Sequence, residues 1–138
     1  MSYTTTDRVA ARSPGRIFTA TSKPSATQAG YFIEDTAAQL DGILSERGYS
    51  VPVPSTATVS FALLRDYNTA GAHCLVEKSA PTGRDSDMKD ACAAWEAAKK
   101  ALSSGAVDLP DATTLTTGDS LGRTGYQPTA MFPATSTY

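Results

Sequence analysis

Between Ser25 and Pro54 the chain specifies one long helix and then forbids it to continue. Ser25 is followed three positions later by Gln28, a pairing in which each side chain satisfies a backbone N–H at a helix start. Ala29, Ile33, Ala37, Leu40, Leu44 and Arg47 then share one stripe, with Phe32, Thr36 and Ile43 beside it. Glu34, Asp35, Asp41 and Glu46 fall mostly on the other side and are expected in solvent. From Ala26 to Arg47 this helix would be roughly 33 Å long at about 1.5 Å per residue. Gly48 suits the left-handed position just past a helix end, and Pro52 and Pro54 exclude resumption. A stripe of that length must be covered by other elements, and the rest of the chain supplies helices.

A second helix is expected from Ser55 or Thr58, where Val59, Leu63, Tyr67, Ala70 and Cys74 recur at helical spacing. Phe61, Leu64 and Leu75 widen its stripe. Asn68 and Gly71 weaken its middle and suggest a bend, and Pro81 to Gly83 ends it. Asp85 or Ser86 can cap a third helix, in which Met88, Ala91, Trp95, Ala98 and Leu102 step by threes and fours up to Gly105. Upstream, Thr4 and Asp7 mark a short helix of one or two turns before Pro14 and Gly15 break it. With no convincing strand, the expected fold is all-α: a small bundle of three long helices plus a short N-terminal helix. Phe32, Ile33, Leu40, Leu44, Leu63, Tyr67, Trp95 and Leu102 form the expected core.

Past Pro110 the character changes. Residues 111–138 hold eight threonines and only three charges, with no helical period. Threonine favours extended structure, yet Leu115, Leu121, Tyr126, Met131, Phe132 and Tyr138 are spread through the segment. A stretch that cannot bury enough apolar area alone but carries large anchors has the composition of an arm that orders on a partner; the alternative is a frayed terminus. The chain thus divides into an N-terminal segment with a short helix (1–24), a helical domain (25–110) and an extended, irregular C-terminal arm (111–138). Tyr126, Met131, Phe132 and Tyr138 are the candidate partner-binding anchors.

The formal charge of −2 is spread evenly, which argues against a protein that grips phosphates. Arg8, Arg12, Arg16 and Lys23 make a mild local excess near the start, expected to be solvated. The two cysteines, Cys74 and Cys92, are too few for a disulfide framework. Both occupy apolar helical positions, where free thiols are expected, while a bridge between the two stays open. The start lacks the apolar core of a signal peptide and no apolar run is long enough to span a membrane, so a soluble protein made in a cytoplasm is expected.

Catalytic signals are sparse. His73 is the one histidine, with no second ligand at metal spacing, and the cysteines form no pair motif. Cys74 adjoins His73 in sequence, and neighbouring helical residues do not face each other; a pairing of His73 with Cys92 stays open. No phosphate-cradling glycine loop or nucleophile elbow occurs. The acids of "DSDMKD" suit a helix N-terminus better than a calcium loop. The expectation is a non-enzyme with no catalytic residue, no metal and no cofactor.

The order of segments resembles a known family. A threonine/serine link precedes "PSATQAGYFIEDTAAQLDGILSERGYSVPVP", then "LLRDYNTAGAHCLVEKSA" and "AWEAAKKALSSGAVDLP". This is similar to the head-to-tail connector, or adaptor, proteins of long-tailed bacteriophages. There a helix that starts after P-[ST]-x-x-Q ends in an R-G-Y-x-x-P turn, here Arg47, Gly48, Tyr49 and Pro52. A second helix carries N-x-x-A/G-A, here Asn68 to Ala72, and the last closes with L-x-x-G-x-x-x-L, here Leu102, Gly105 and Leu109. The resemblance covers residues 19–110 and leaves the arm unmatched.

It implies a structural virion protein at the head–tail junction, made in the bacterial host. Such proteins form a homo-oligomeric ring, usually of twelve copies, between the portal protein and a stopper or tail-completion protein. Genomic DNA passes through without specific binding, and no membrane is involved. Heterologous contacts that close by rotation would build such a ring, and a near-neutral to acidic chain suits a conduit that must release its DNA. The competing reading is a small helical DNA-binding or regulatory protein of helix-turn-helix type. The helices are long for that, the first turn is proline-rich, and no helix clusters Arg, Lys, Asn or Gln.

Overall fold

A computed structural model describes residues 2–13, 16–80 and 85–114. Four helices make up its framework: α1 (Thr6–Arg12), α2 (Ala26–Glu46), α3 (Thr58–Ser79) and α4 (Asp85–Ser104). Among the described residues there is no strand, only one isolated antiparallel bridge between Tyr49 and Thr114. The architecture is all-α.

The helix boundaries follow the local signals. Ser25 Oγ accepts from the Gln28 N–H at 3.2 Å, while Gln28 Oε1 accepts from the Ser25 N–H at 3.1 Å. Both orphan donors at the start of α2 are thereby satisfied. Gly48 has φ +86° and Gly105 φ +83°, the left-handed geometry that ends α2 and α4 where a side chain would be strained. The peptide bonds before Pro24 and Pro52 are cis.

The centre of the bundle is α3, packed most extensively on α4, next on α2, and touching α1. Gly71 marks the tightest point. A Cβ there would lie 2.9 Å from both Thr36 Cβ and Cγ2 on α2, and 2.9 Å from Trp95 Cε3 on α4. Only a hydrogen fits, so Gly71 is the site of closest approach among three helices, and α3 runs through it unbroken. Packing from two sides offsets the weak helix propensity of Gly there.

The main core gathers Leu40, Leu44, Leu64, Trp95 and Leu102 with Tyr3, Tyr49, Val53 and Leu109. A smaller cluster joins Val9, Ile33, Ala72 and Val76, against which Phe18 and Phe32 pack. Ile33, Leu40, Leu44, Trp95 and Leu102 are buried as expected. Along α3 the reading needs correction: Leu64, not Leu63, is fully buried, Leu63 and Tyr67 are half-buried, and Val59 is 61% exposed. Because Ser60, Asn68 and Gly71 occupy inward positions, the inner stripe of this half-helix carries few apolar residues and looks polar in sequence.

The expectation of free thiols is also overturned, since Cys74 on α3 and Cys92 on α4 form a disulfide. The spacing of 18 residues says nothing about pairing until the two helices are known to be antiparallel neighbours.

Leu64→Ala and Leu40→Ala should each cost about 2–5 kcal/mol, and Leu63→Ala distinctly less. Gly71→Ala should also destabilise, by about 1–3 kcal/mol, through overpacking against Thr36 and Trp95. Denaturant unfolding of the four variants would contradict this core if Leu63→Ala proved more damaging than Leu64→Ala.

Candidate functional site

The turn after α2 does more than stop a helix. Arg47 Nη1 donates to the carbonyls of Leu102 at 3.0 Å and Val107 at 2.7 Å, while Nη2 reaches Asp108 Oδ1 at 2.7 Å. The last turn of α4 carries no basic residue of its own. Arg47 therefore brings a cation to the carbonyl end of a neighbouring helix, where the macrodipole favours positive charge. Its guanidinium also stacks over the Tyr49 ring, 5.3 Å from the centroid. The buried Tyr49 hydroxyl accepts from the Leu109 N–H at 3.2 Å. Arg47, Gly48 and Tyr49 thus clamp the end of α4 and the chain that leaves it.

That departing chain folds back along the corner. The Ser50 N–H donates to Thr113 O at 2.8 Å, next to the Tyr49–Thr114 bridge. Ala57, the residue before α3, offers no side-chain cap. Asp111 supplies one from a distance: its carboxylate accepts from the N–H groups of Val59 at 2.9 Å and Ser60 at 2.8 Å, and from the Ser60 hydroxyl. The Ser60 hydroxyl first, then the two backbone N–H groups, hold the Asp111 carboxyl below its ordinary pKa.

A second strap comes from the N-terminus. The Tyr3 N–H donates to Asn68 Oδ1 at 2.9 Å, and Asn68 Nδ2 donates to Ile33 O at 3.0 Å and Thr36 Oγ1 at 2.7 Å. Asn68 is fully buried and ties α2, α3 and the N-terminal segment together. Thr4 and Thr69 share a hydroxyl contact of 2.6 Å, and Thr69 donates onward to Arg65 O. The Tyr3 hydroxyl donates to Asp41 and accepts from the Val53 N–H at 3.1 Å. Burial, reinforced by its bond to Asp41, raises the Tyr3 pKa, and burial raises that of Asp41.

Farther along, Arg16 Nε lies 3.1 Å from Glu77 Oε2, a carboxylate almost completely buried on α3. The Ser13 hydroxyl also reaches Glu77, at 3.4 Å, and Arg12 pairs with the exposed Asp66 at 2.8 Å. Arg12 stays exposed in its pair with Asp66, as expected, whereas the expectation of a solvated arginine fails at Arg16. A buried glutamate needs a cation, and the N-terminal segment provides it. Asp41 likewise departs from the solvated face assigned to it, because Tyr3 is inserted beside it.

His73 lies 3.5 Å from Glu77 and is half-buried. Burial lowers its pKa against the opposing pull of Glu77. The Cys92 sulfur, the other member of the one nucleophile pairing left open, is engaged with Cys74. Among the described residues no group of three His, Cys, Asp or Glu side chains could hold a metal, and no helix is long and apolar enough to cross a membrane. Among the described residues, shallow depressions of about 300 and 400 Å³ are lined mainly by alanines with Tyr67 and by small hydroxyl residues respectively.

The structure brings the motif residues Arg47, Tyr49, Leu102 and Leu109 to one end of the bundle, with Asp111 beside them. The anchors Tyr126, Met131, Phe132 and Tyr138 lie outside the described residues. Arm residues 111–114 are described and lie on the corner. No family model, curated protein or solved structure matches the chain.

Asn68→Ala removes three buried hydrogen bonds and should cost about 3 kcal/mol, near 1 kcal/mol per bond. Asp111 generates a pH dependence. Its pKa is lower in the fold than the ordinary 3.8, so its stabilisation is present above that value and is lost as pH falls through the depressed one. Asp111→Asn should lower the melting temperature at pH 7, and its deficit should shrink below pH 3.8. A deficit that stays constant with pH in parallel melts would show that the charge is not what caps α3.

Proposed function

We propose that this chain is a structural, non-enzymatic head-to-tail connector of a long-tailed bacteriophage. In this reading it assembles as a homo-oligomeric ring, typically dodecameric, between the portal and the stopper or tail-completion protein. One observation carries the reading. The motif residues that give the chain its resemblance to that family each perform a defining task in this fold. Arg47 and Tyr49 clamp the end of α4, Asn68 and Gly71 fix the three-helix crossing, and Gly105 ends the last helix. A rigid bundle whose outgoing chain is held at one end, beside a proline corner, supplies what a ring subunit needs: fixed faces and a defined point of departure for an arm. The charge balance supports passage of DNA without retention.

The arm is the proposed contact with a neighbouring subunit or the portal, with Tyr126, Met131, Phe132 and Tyr138 as anchors. Pairing of a threonine-rich segment with a partner's exposed backbone is one mode open to it. Because Asp111 caps α3, the deletion that tests the arm must begin after Thr114. A chain lacking residues 115–138 should keep the helicity and melting temperature of the full chain yet fail to form ring-sized species with purified portal, as read by native mass spectrometry. Unchanged assembly of the truncated chain would remove the arm from the mechanism. A monomer or dimer that ignores portals and retards duplex DNA would favour the regulator reading instead.

A further inference from the structure

We infer that the Cys74–Cys92 bridge is a lock that closes on an already folded α3–α4 pair, by an exchange that begins at Cys92 and is completed by Cys74. The two Cα atoms lie 4.6 Å apart. Their proximity is set by groups that contain no sulfur. Gly71, one turn before Cys74, admits the Trp95 ring, and Trp95 lies one turn after Cys92 on α4. On the same pair of helices Ala70 and Ala98 border one groove. Leu64 and Leu102, both without exposed surface, anchor the same core. Packing of this kind holds the two side chains within reach of each other whatever their oxidation state, so folding does not wait for the bridge.

The order of events follows from access. Cys74 is 2% exposed, whereas Cys92 keeps partial contact with solvent. An oxidant of the low-molecular-weight disulfide class, RSSR, can therefore reach Cys92. The Cys92 thiol gives its proton to water, and the thiolate attacks one sulfur of RSSR. A Cys92–S–S–R mixed disulfide forms, and RS⁻ leaves and takes up a proton. Cys74, already beside it, then loses its own proton and attacks the Cys92 sulfur, expelling the second RS⁻, which becomes RSH. Two protein thiols and RSSR become one bridge and two RSH, with two electrons passed from protein to RSSR. A chain made in a reducing compartment would fold with thiols and acquire the cross-link on meeting such an oxidant.

The bridge closes a segment of 18 residues, which restricts the unfolded chain more than it alters the folded one. Reducing the full chain should therefore leave its helical circular dichroism unchanged and lower its melting temperature by about 10 °C. Brief exposure of the reduced protein to oxidised glutathione, quenched with acid and mapped by peptide mass spectrometry, should place the first glutathione on Cys92. Cys74→Ser should accumulate that adduct, whereas native Cys92→Ser should gain none at Cys74. Loss of helicity on reduction would overturn the inference, as would a first adduct on Cys74. The wild-type mapping stands even if either variant folds poorly.

Discussion

A missing methyl group organises this molecule. At Gly71 three helices come so close that a Cβ would collide with the Thr36 side chain and the Trp95 ring at once. Neither neighbour can readily yield: Thr36 is buried and hydrogen-bonded to α2's own backbone, and Trp95 is 4% exposed within the core. The inward register of α3 depends on that contact. With Gly71 at the crossing, Asn68 is turned toward Ile33 and Thr36, and Leu64 enters the centre of the main core. A residue that is poor for helix formation in isolation thus fits this helix better than alanine would, since tertiary fit outweighs a propensity difference of about 1 kcal/mol.

Around the crossing, polar ties do the work of specification. Asn68, Thr69 and Glu77 are buried on α3, and each takes at least one hydrogen-bond partner from the N-terminal segment, far away in sequence. An apolar stripe alone would let a short strap slide along α3; a buried amide and a buried carboxylate do not, because leaving either unpaired is costly. The opposite end of the bundle is organised similarly: Arg47 finishes a helix it does not belong to, and Asp111 starts another. The start of α3, which has no side-chain cap of its own, borrows one from a distant residue.

These borrowed contacts mark the limit of what the sequence discloses. Ser25 and Gln28, Gly48 and Gly105 act on residues within a turn of themselves, so helix ends were legible with little error. The inner face of α3 was not, because a helix covered on several sides has no single apolar stripe. Leu63 and Leu64 are equivalent until the neighbours are placed. The cap from Asp111 spans 51 positions and the Arg16–Glu77 pair 61, and no periodicity carries such information. The disulfide was not legible either, because a separation of 18 points to no pairing until α3 and α4 are known to be neighbours. Arg47 and Tyr49 were singled out by resemblance, but their partners at Leu102, Val107 and Leu109 emerged only from the fold.

The fold-back of residues 108–114 has a mechanical consequence. Tension applied at Thr114 does not run straight into the end of α4. It meets the Tyr49–Thr114 bridge and the Ser50–Thr113 bond, then the Asp111 contacts at the start of α3, and only afterwards the Arg47–Asp108 pair. The load is thereby shared among the corner, α3 and α4. Force entering at Thr114 would therefore load the corner and the start of α3 before it reached the end of α4.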